Sequence, residues 1–190
     1  MIIFIQIHIM DIKILEPIPK EYFENISNIL KTITIPKLQK NKVNSVRLAL
    51  PDNSRSVTFG YILKRIGRKF ELSSITLKYP ELYEELKILI HNINPNFEYT
   101  SIQVNHNVTC NRHRDKGNVG KSIIVSTGDY YGSNFVIENE IYVTYHQPIS
   151  FDGFKLFHWN TNDLVGNKYS FVFYNSKYSK KISTRHDDSA

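Results

Sequence analysis

The chain has 190 residues, a length typical of one domain with its own hydrophobic core. Its hydrophobic residues (41%) and charged residues (22%) exclude a disordered or fibrous chain. A single cysteine, Cys110, excludes an intramolecular disulfide framework and a multi-cysteine zinc site, and the net charge is +6.

The first ten residues are apolar, but Gln6 and His8 interrupt them with the alternation of a strand. They lack the basic leader and small-residue cleavage site of an export signal, and they are too short to span a bilayer. We therefore expect an intracellular protein that is neither secreted nor membrane-bound. The next element, at residues 20–32, has apolar residues at helical spacing and predicts a helix.

The segment 37–69 is strongly basic. It contains nine Lys and Arg residues against one acidic residue, a charge of +8, so the rest of the chain carries −2. A concentration of this kind predicts a face that binds phosphate groups of DNA or RNA. We expect Arg47 and Arg55, on either side of the turn at 51–54, to contact the substrate. The alternative is that these basic side chains are only solvated.

A second helix is predicted at residues 80–93, with Pro80 at its first position and Asn94 after its end. Beyond residue 96 the apolar runs become short and are separated by turn residues. This pattern predicts strands at 97–104, 122–127, 134–137, 141–145, 148–151, 155–158 and 169–174.

Strands at this spacing indicate an antiparallel sandwich or jelly roll, preceded by helices. The expected fold is therefore α+β and mainly β, with a jelly-roll core buttressed by N-terminal helices. We predict a single domain over 1–190. Within it we expect a helical and basic buttress at 1–96, a strand core at 97–175 and a tail at 176–190.

A possible metal site begins with His113 and Asp115, just after a predicted strand. Side chains two residues apart lie on the same face of an extended segment, so both can reach one ion. His158, near the end of a later strand, is a third possible ligand. Two histidines and one carboxylate are the ligand set of non-haem Fe(II) sites. The alternative is a chance pair and a structural histidine.

Ten residues after His158, Lys168 opens an otherwise apolar strand. A buried lysine is costly unless an anion meets it. Ser170 shares its face and adds a hydroxyl donor. Together they suggest a co-substrate that carries a carboxylate. The alternative places Lys168 at the surface, where the strand starts.

These residues together resemble the Fe(II)/2-oxoglutarate-dependent dioxygenases over 97–175, which implies a double-stranded β-helix, a cupin-like jelly roll. A narrower pattern resembles the TET/JBP-type branch and related oxygenases of protists and large DNA viruses, which act on thymine or 5-methylcytosine. Its residues are Asn105, Asn107, Cys110, His113, Asp115, Asn118, Ser122 and the turn at 128–132. Two residues depart from that branch. Lys168 stands where the branch usually has Arg, although prolyl hydroxylases have Lys at the same spacing. Ser133 stands where relatives often have Gly.

The resemblance implies an enzyme that hydroxylates a substrate C–H bond with Fe(II), 2-oxoglutarate and O2. It implies that His113, Asp115 and His158 hold the iron, and that Lys168 and Ser170 bind 2-oxoglutarate. The expected substrate is a nucleobase of DNA or RNA. The alternatives are a protein hydroxylase of the prolyl type and a non-catalytic cupin-like binding domain.

Four further residues lie near these motifs. Asn105 is expected to hydrogen-bond the co-substrate, or alternatively to cap a strand end. Asn118 is expected to contact substrate or co-substrate, or alternatively to form an Asx turn. Because Trp159 follows His158 in a strand, we expect it to point away from the site into the core. Cys110 is expected to be a small buried residue.

Overall fold

The computed structural model describes residues 11–37, 54–64, 66–67 and 69–179. In the first half of the chain the elements are β1 (Ile12–Ile14), α1 (Glu21–Thr32), β2 (Arg55–Leu63), β3 (Phe70–Leu72), α2 (Ser74–Lys78) and α3 (Pro80–Ile93). In the second half they are β4 (Ser101–His106), β5 (Asn118–Tyr131), β6 (Phe135–Ile137), β7 (Glu140–Tyr142), β8 (Ile149–Phe151), β9 (His158–Asn160) and β10 (Val165–Ser176).

Both predicted long helices are present, and α3 has the predicted bounds. The fixed φ of Pro80 suits the first turn of a helix, where its missing N–H is not needed. Helix α3 is amphipathic, and Leu82, Leu86 and Leu89 are fully buried on one face. In α1 the buried face is formed by Phe23, Ile26 and Leu30. Burying these faces stabilises both helices against the sheet.

The strands form two antiparallel sheets. The larger has the order β1-β8-β5-β10-β4-β2-β3, and the smaller has the order β7-β6-β9. Strand β10 pairs with β5 from Val165↔Tyr131 to Ser176↔Asn118, with one β-bulge, and forms the centre of the large sheet. Two antiparallel sheets with helices packed outside one of them confirm the predicted mainly-β jelly-roll fold.

Strand β4 shows how the large sheet separates an apolar layer from a polar one. Ile102 and Val104 are fully buried in the main hydrophobic cluster with residues of α1 and α3. Gln103 and Asn105, which alternate with them, line a cavity on the other face. A smaller hydrophobic cluster closes the space between the two sheets and consists of Ile124, Phe135, Ile137, Ile149, Phe151 and Leu156.

The observed strands differ from the predicted ones in their bounds, and two of the differences concern the core of the sheet. Strands β1 and β2 precede residue 97 but belong to the large sheet, where β2 pairs with β4. The strand core therefore does not begin at residue 97. The strand predicted at 155–158 is instead β9, because Asp152 Oδ1 accepts hydrogen bonds from the N–H groups of Phe154 and Lys155 and stabilises a turn there.

The strand predicted at residues 1–10 lies outside the described residues. In the part of the chain that the structure does describe, none of the helices has the length and apolarity needed to cross a membrane.

Leu86 and Ile88 provide a test of the helix packing. Leu86 is fully buried against the large sheet, whereas Ile88 is 49% exposed on the same helix. We expect Leu86→Ala to lower the free energy of unfolding by about 2–5 kcal/mol, because it removes buried methyl groups and leaves a cavity. We expect Ile88→Ala to change it by roughly 0.5 kcal/mol or less. Urea denaturation measures both. Equal losses in the two variants would contradict this packing.

Candidate metal centre

Backbone hydrogen bonds bring the three predicted metal ligands together. The His113 N–H donates to the His158 carbonyl (3.0 Å), and the His158 N–H donates to the His113 carbonyl (2.9 Å). The Asp115 N–H donates to the Gly153 carbonyl at 2.7 Å. As a result, the loop before β5 lies against the start of β9. One potential ligand atom from each of His113, Asp115 and His158 lies within 4.8 Å of the other two.

The two histidines present the nitrogen atoms that a metal ion needs. His113 Nδ1 lies 2.7 Å from the Asn111 carbonyl, and His158 Nδ1 lies 3.0 Å from the Leu156 carbonyl. Since a carbonyl only accepts, each Nδ1 carries the proton and the neutral ring keeps a lone pair on Nε2. These Nε2 atoms lie 3.5 and 3.6 Å from the carboxylate oxygens of Asp115. Three electron-pair donors that converge in this way fit a divalent cation between them.

Two neighbours fix the Asp115 carboxylate. The Asn118 amide donates to Asp115 Oδ2 at 3.0 Å. A Cβ atom at position 153 would lie 2.9 Å from the same oxygen, so the close approach requires Gly153. Burial alone would raise the pKa of Asp115, but when each histidine ring also carries a proton on Nε2, hydrogen bonds and charge interactions with His113 and His158 outweigh burial and hold that pKa below its usual range. The carboxylate is therefore ionised at neutral pH, as a metal ligand must be.

A cavity of about 180 Å³ adjoins the three ligands and lies between the two sheets. Its lining combines four side-chain amides with aromatic and apolar groups. The amides belong to Gln103, Asn105, Asn118 and Asn160. The aromatic groups, the histidine ligands apart, belong to Phe135, Phe151, Trp159 and Tyr174.

The prediction that Trp159 points into the core was wrong. The residue is half-buried and lines the cavity together with its neighbours His158 and Asn160. Strand β9 has only three residues and lies at the edge of the small sheet. Alternation along such a short edge strand does not bury the side chain of Trp159 in the core. The Trp159 ring lies 5.8 Å from the guanidinium carbon of Arg112. Cys110, expected to be buried, is half-buried and also lines the cavity.

Hydrogen bonds connect the polar side chains along one cavity wall. Thr58 Oγ1 donates to Gln103 Oε1 at 2.8 Å, and Gln103 Nε2 donates to Ser56 Oγ at 2.5 Å. Ser56 Oγ in turn donates to Asn105 Oδ1 at 2.7 Å. Asn105 Nδ2 donates to Ser170 Oγ at 3.4 Å. The chain fixes the orientation of both amides and places Asn105 and Ser170 together at the cavity, as their predicted shared role requires.

Lys168 is only 3% exposed, which excludes a surface position at the start of β10. Its Nζ atom donates to the Ser133 carbonyl and lies 3.3 Å from Ser133 Oγ and 5.1 Å from the centre of the Tyr130 ring. Among the described residues, no carboxylate lies within ion-pair distance of Nζ. Burial lowers the pKa of Lys168 to about 8. Lys168 is therefore a buried cation whose contacts are neutral, on the same face of β10 as Ser170.

Ser133, one of the departures from the TET/JBP-type pattern, has a left-handed backbone with φ of 49°. Such a φ favours glycine, which agrees with the residue that relatives often have at this position. In this chain the serine hydroxyl contacts the buried ammonium of Lys168 instead. The substitution thus adds a polar contact to the lysine.

Of the two predicted arginine contacts, the structure describes only Arg55, which is not at the cavity. Arg55 Nη1 donates to the Ile35 carbonyl at 2.9 Å. Arg55 also alternates on β2 with Ser56, whose hydroxyl belongs to the cavity wall, so it lies on the opposite, helix-covered face of the sheet. Its placement does not support a contact with substrate. Arg47 lies outside the described residues.

Sequence reasoning missed several residues that line the cavity. Gln103 stands two residues before Asn105, and Tyr174 stands four residues after Ser170, so period-two alternation on β4 and β10 could have identified both. Asn160 gives no comparable signal. It reaches the cavity because β9 is bound to the loop that carries His113, where the Asn160 N–H donates to the Cys110 carbonyl at 3.0 Å.

No protein-family model matches the sequence, and no curated protein is significantly similar to it. Solved structures do share its fold. NgTET1 in complex with 5mC DNA has a TM-score of 0.59 and 14% identity, covering 90% of this chain and 74% of its own. A prolyl hydroxylase from Trichoplax adhaerens, in complex with a hypoxia inducible factor oxygen degradation domain peptide, has a TM-score of 0.55 and 13% identity. The match covers 92% of this chain and 88% of the hydroxylase chain. These likenesses show that the chain has the jelly-roll fold of 2-oxoglutarate oxygenases.

Metal-dependent stabilisation tests the candidate centre. We expect Mn(II), used as an oxygen-stable substitute for Fe(II), to raise the melting temperature of the wild-type protein. A hundredfold excess over the dissociation constant corresponds to about 2.7 kcal/mol. Asp115→Ala should lose this shift because only two ligands remain. Asp129→Ala is the control, since Asp129 is exposed on β5. The same metal-induced shift in the Asp115 variant and in wild type would show that the ion binds elsewhere.

Proposed function

We propose that this protein is an Fe(II)/2-oxoglutarate-dependent dioxygenase that hydroxylates a nucleobase of DNA or RNA. One observation carries the proposal. The converging donors of His113, Asp115 and His158 share a cavity with Ser170, and the buried Lys168 cation lies on the same face of the same strand. A metal centre, together with a buried cation that has no ion-pair partner among the described residues, fits a co-substrate with a distal carboxylate.

The chain's own residues hold and shape the iron site. His113 Nε2, His158 Nε2 and the Asp115 carboxylate would bind Fe(II) and leave adjacent coordination positions open. When bound, the iron supplies, with 2-oxoglutarate and O2, the oxidising power for hydroxylation of a C–H bond. The carbonyls of Asn111 and Leu156 hold the histidine protons on Nδ1.

Lys168 would bind the distal carboxylate of 2-oxoglutarate. An ammonium group has three donors, and the two oxygens of Ser133 account for two of them, which leaves one for a carboxylate oxygen. Ser170 Oγ and the Asn105 amide, already joined to each other, provide neighbouring polar groups at the cavity. Pairing with an anion would offset the energetic cost of burying the ammonium group. The neutral contacts of Lys168 offset that cost only in part.

The cavity lining supports a nucleobase as substrate. Trp159 and Tyr174 offer aromatic surface for stacking, and Gln103 and Asn160 offer amides that can hydrogen-bond base edges. The motif around His113 resembles the TET/JBP-type branch, and one protein of similar fold, NgTET1, is bound to 5mC DNA. These observations favour thymine or 5-methylcytosine over other bases.

Protein hydroxylation is the second candidate. Lys168 stands where prolyl hydroxylases also have lysine, and another protein of similar fold is a prolyl hydroxylase in complex with a peptide. This alternative keeps the same metal centre and co-substrate but replaces the base with a peptide side chain.

Succinate formation and substrate oxidation test the proposed activity. With Fe(II), ascorbate and 2-oxoglutarate, we expect wild-type protein to release succinate and Asp115→Ala to release none. Mass spectrometry should detect the gain of one oxygen atom in oligonucleotides that contain thymine or 5-methylcytosine. Oxygen gained by proline peptides alone would favour the second candidate. No metal-dependent succinate from the wild-type protein would contradict both and favour a binding domain.

Lys168→Met should separate stability from co-substrate binding. Lowering the pKa of Lys168 from 10.5 to about 8 destabilises the folded protein at pH 7. At about 1.4 kcal/mol per unit this cost is about 3.5 kcal/mol. Because methionine also loses the contacts of Nζ with Ser133, we expect the variant to raise the free energy of unfolding by about 1–3 kcal/mol while abolishing succinate formation.

The pH dependence provides the check on this explanation. Between pH 8 and 10.5 the unfolded chain holds the Lys168 proton more tightly than the folded protein does, so wild-type stability should gain from deprotonation as pH rises. The Lys168→Met variant should lack this gain, whereas a Lys31→Met control, at an exposed position of α1, should keep it. Denaturation at two pH values measures the difference. A Met variant that is less stable than wild type at pH 7 would contradict the proposed cost of burial.

A further inference from the structure

The segment 112–116 alternates between metal ligands and cations. His113 and Asp115 are half-buried at the candidate metal centre, whereas Arg112, Arg114 and Lys116 are exposed. Exposure thus alternates along the segment: the two ligands lie at the metal centre, and the three cations beside them lie at the surface. The same short segment therefore carries the metal centre on one side and a row of positive charges on the other.

A fourth cation lies beside this row. Lys177 Nζ donates to the Lys116 carbonyl at 2.9 Å, and the Lys177 N–H donates to the Gly117 carbonyl at 2.9 Å. The chain after β10 is thereby fixed against the metal-binding loop. We call Arg112, Arg114, Lys116 and Lys177 the cationic rim.

The charges of the cationic rim are almost unopposed. Arg112 lies 4.0 Å from Glu138 and its side chain remains 53% exposed. Within the described ranges, no ion pair involves Arg114, Lys116 or Lys177. The guanidinium carbons of Arg112 and Arg114 lie 3.7 and 4.5 Å from the centre of the same Phe157 ring, which holds these two like charges near each other.

The cationic rim borders the cavity. Arg112 approaches Trp159, which lines it. At the other end of the rim, Lys177 follows Ser176, which pairs with the cavity residue Asn118 across β10 and β5. A polymer held by the rim would therefore pass next to the metal centre.

We propose that the cationic rim binds the phosphate backbone of the nucleic acid whose base enters the cavity. This inference rests on the proposed function and adds the surface that holds the polymer. An enzyme that modifies a base must take that base out of its stack while the adjoining phosphates stay outside. Arg and Lys at the rim would neutralise those phosphates without reading sequence, and Arg can bind a phosphate through two parallel hydrogen bonds.

The cationic rim is distinct from the basic segment 37–69 that the sequence pattern favoured. Arg55 of that segment bonds to the Ile35 carbonyl on the helix-covered face. The cations of the rim come from the metal-binding segment and from the chain just after β10.

Fluorescence anisotropy of labelled oligonucleotides, single-stranded and duplex, tests the rim across a range of salt concentrations. The variant is Arg114→Gln/Lys116→Gln/Lys177→Gln. The matched control is Lys31→Gln/Lys78→Gln/Lys87→Gln, which removes the same charge from exposed positions on the helices. We expect the rim variant to bind about 10- to 100-fold more weakly at low salt. Its slope of log affinity against log salt should fall by about 0.7–0.9 for each phosphate that the variant no longer neutralises.

A charge-conserving variant, Arg114→Lys/Lys116→Arg/Lys177→Arg, should restore most of the binding, and thermal melting shows whether each variant is folded. Unchanged binding in the folded rim variant, or an equal loss in the helix control, would overturn the proposal. Binding of a polyglutamate peptide without binding of oligonucleotides would also overturn it, in favour of an acidic protein partner.

Wild-type succinate formation without nucleic acid separates this inference from the proposed function. Protein that forms succinate but binds no oligonucleotide would overturn the rim and leave the oxygenase chemistry intact. Protein that binds oligonucleotides through the rim but forms no succinate would support the rim and overturn the oxygenase activity.

Discussion

The reciprocal backbone pair between His113 and His158 is the interaction on which the site depends. Each residue both donates to and accepts from the other, so two distant parts of the chain are held in register. Each imidazole is then oriented by the carbonyl two residues before it, at Asn111 and Leu156. With both rings fixed, the Asp115 carboxylate lies close to the Nε2 atoms of both.

Two contrasting polar environments lie along β10, one in the cavity lining and one around Lys168, which is not part of that lining. Along one wall, the amides of Gln103 and Asn105 are joined to hydroxyl groups in a continuous chain of hydrogen bonds, which gives a rigid surface. Further along β10, Lys168 is buried with only the neutral oxygens of Ser133 and the ring of Tyr130 as contacts. A rigid neutral wall favours a ligand of matching shape. A buried cation without an ion-pair partner among the described residues favours a negatively charged ligand. The two environments suit a substrate and a co-substrate of different chemistry.

Local sequence signals predicted those features that depend on neighbouring residues. Pro80 and Asn94 delimit α3 because both act on the backbone at their own position. The spacing of His113 and Asp115 likewise predicted two side chains on one side of the chain. Features that depend on distant pairing were not predictable in this way. The direction of the Arg55 side chain depends on which face of β2 meets the helices, and that is decided by the pairing of β2 with β4.

Trp159 shows the other limit of local reasoning. Alternation along a strand predicts burial only where both faces of the sheet are covered, and β9 is a three-residue strand at a sheet edge. The fold class was predictable because many short apolar runs share one pattern, so an error in one run does not change the conclusion. The cavity lining was less predictable because it combines single residues from strands far apart in sequence.

The position of β10 in the large sheet has a consequence for how the protein is made. Strand β10 comes after every other described strand but lies between β4 and β5, which it joins along nearly its whole length. Until β10 has been synthesised, the edges of β4 and β5 that face it are unpaired, and unpaired edges can recruit other chains. The central seam of the sheet therefore closes last, and with such non-local pairing it closes slowly. On the ribosome, the nascent chain therefore carries two open strand edges until β10 emerges and pairs with both.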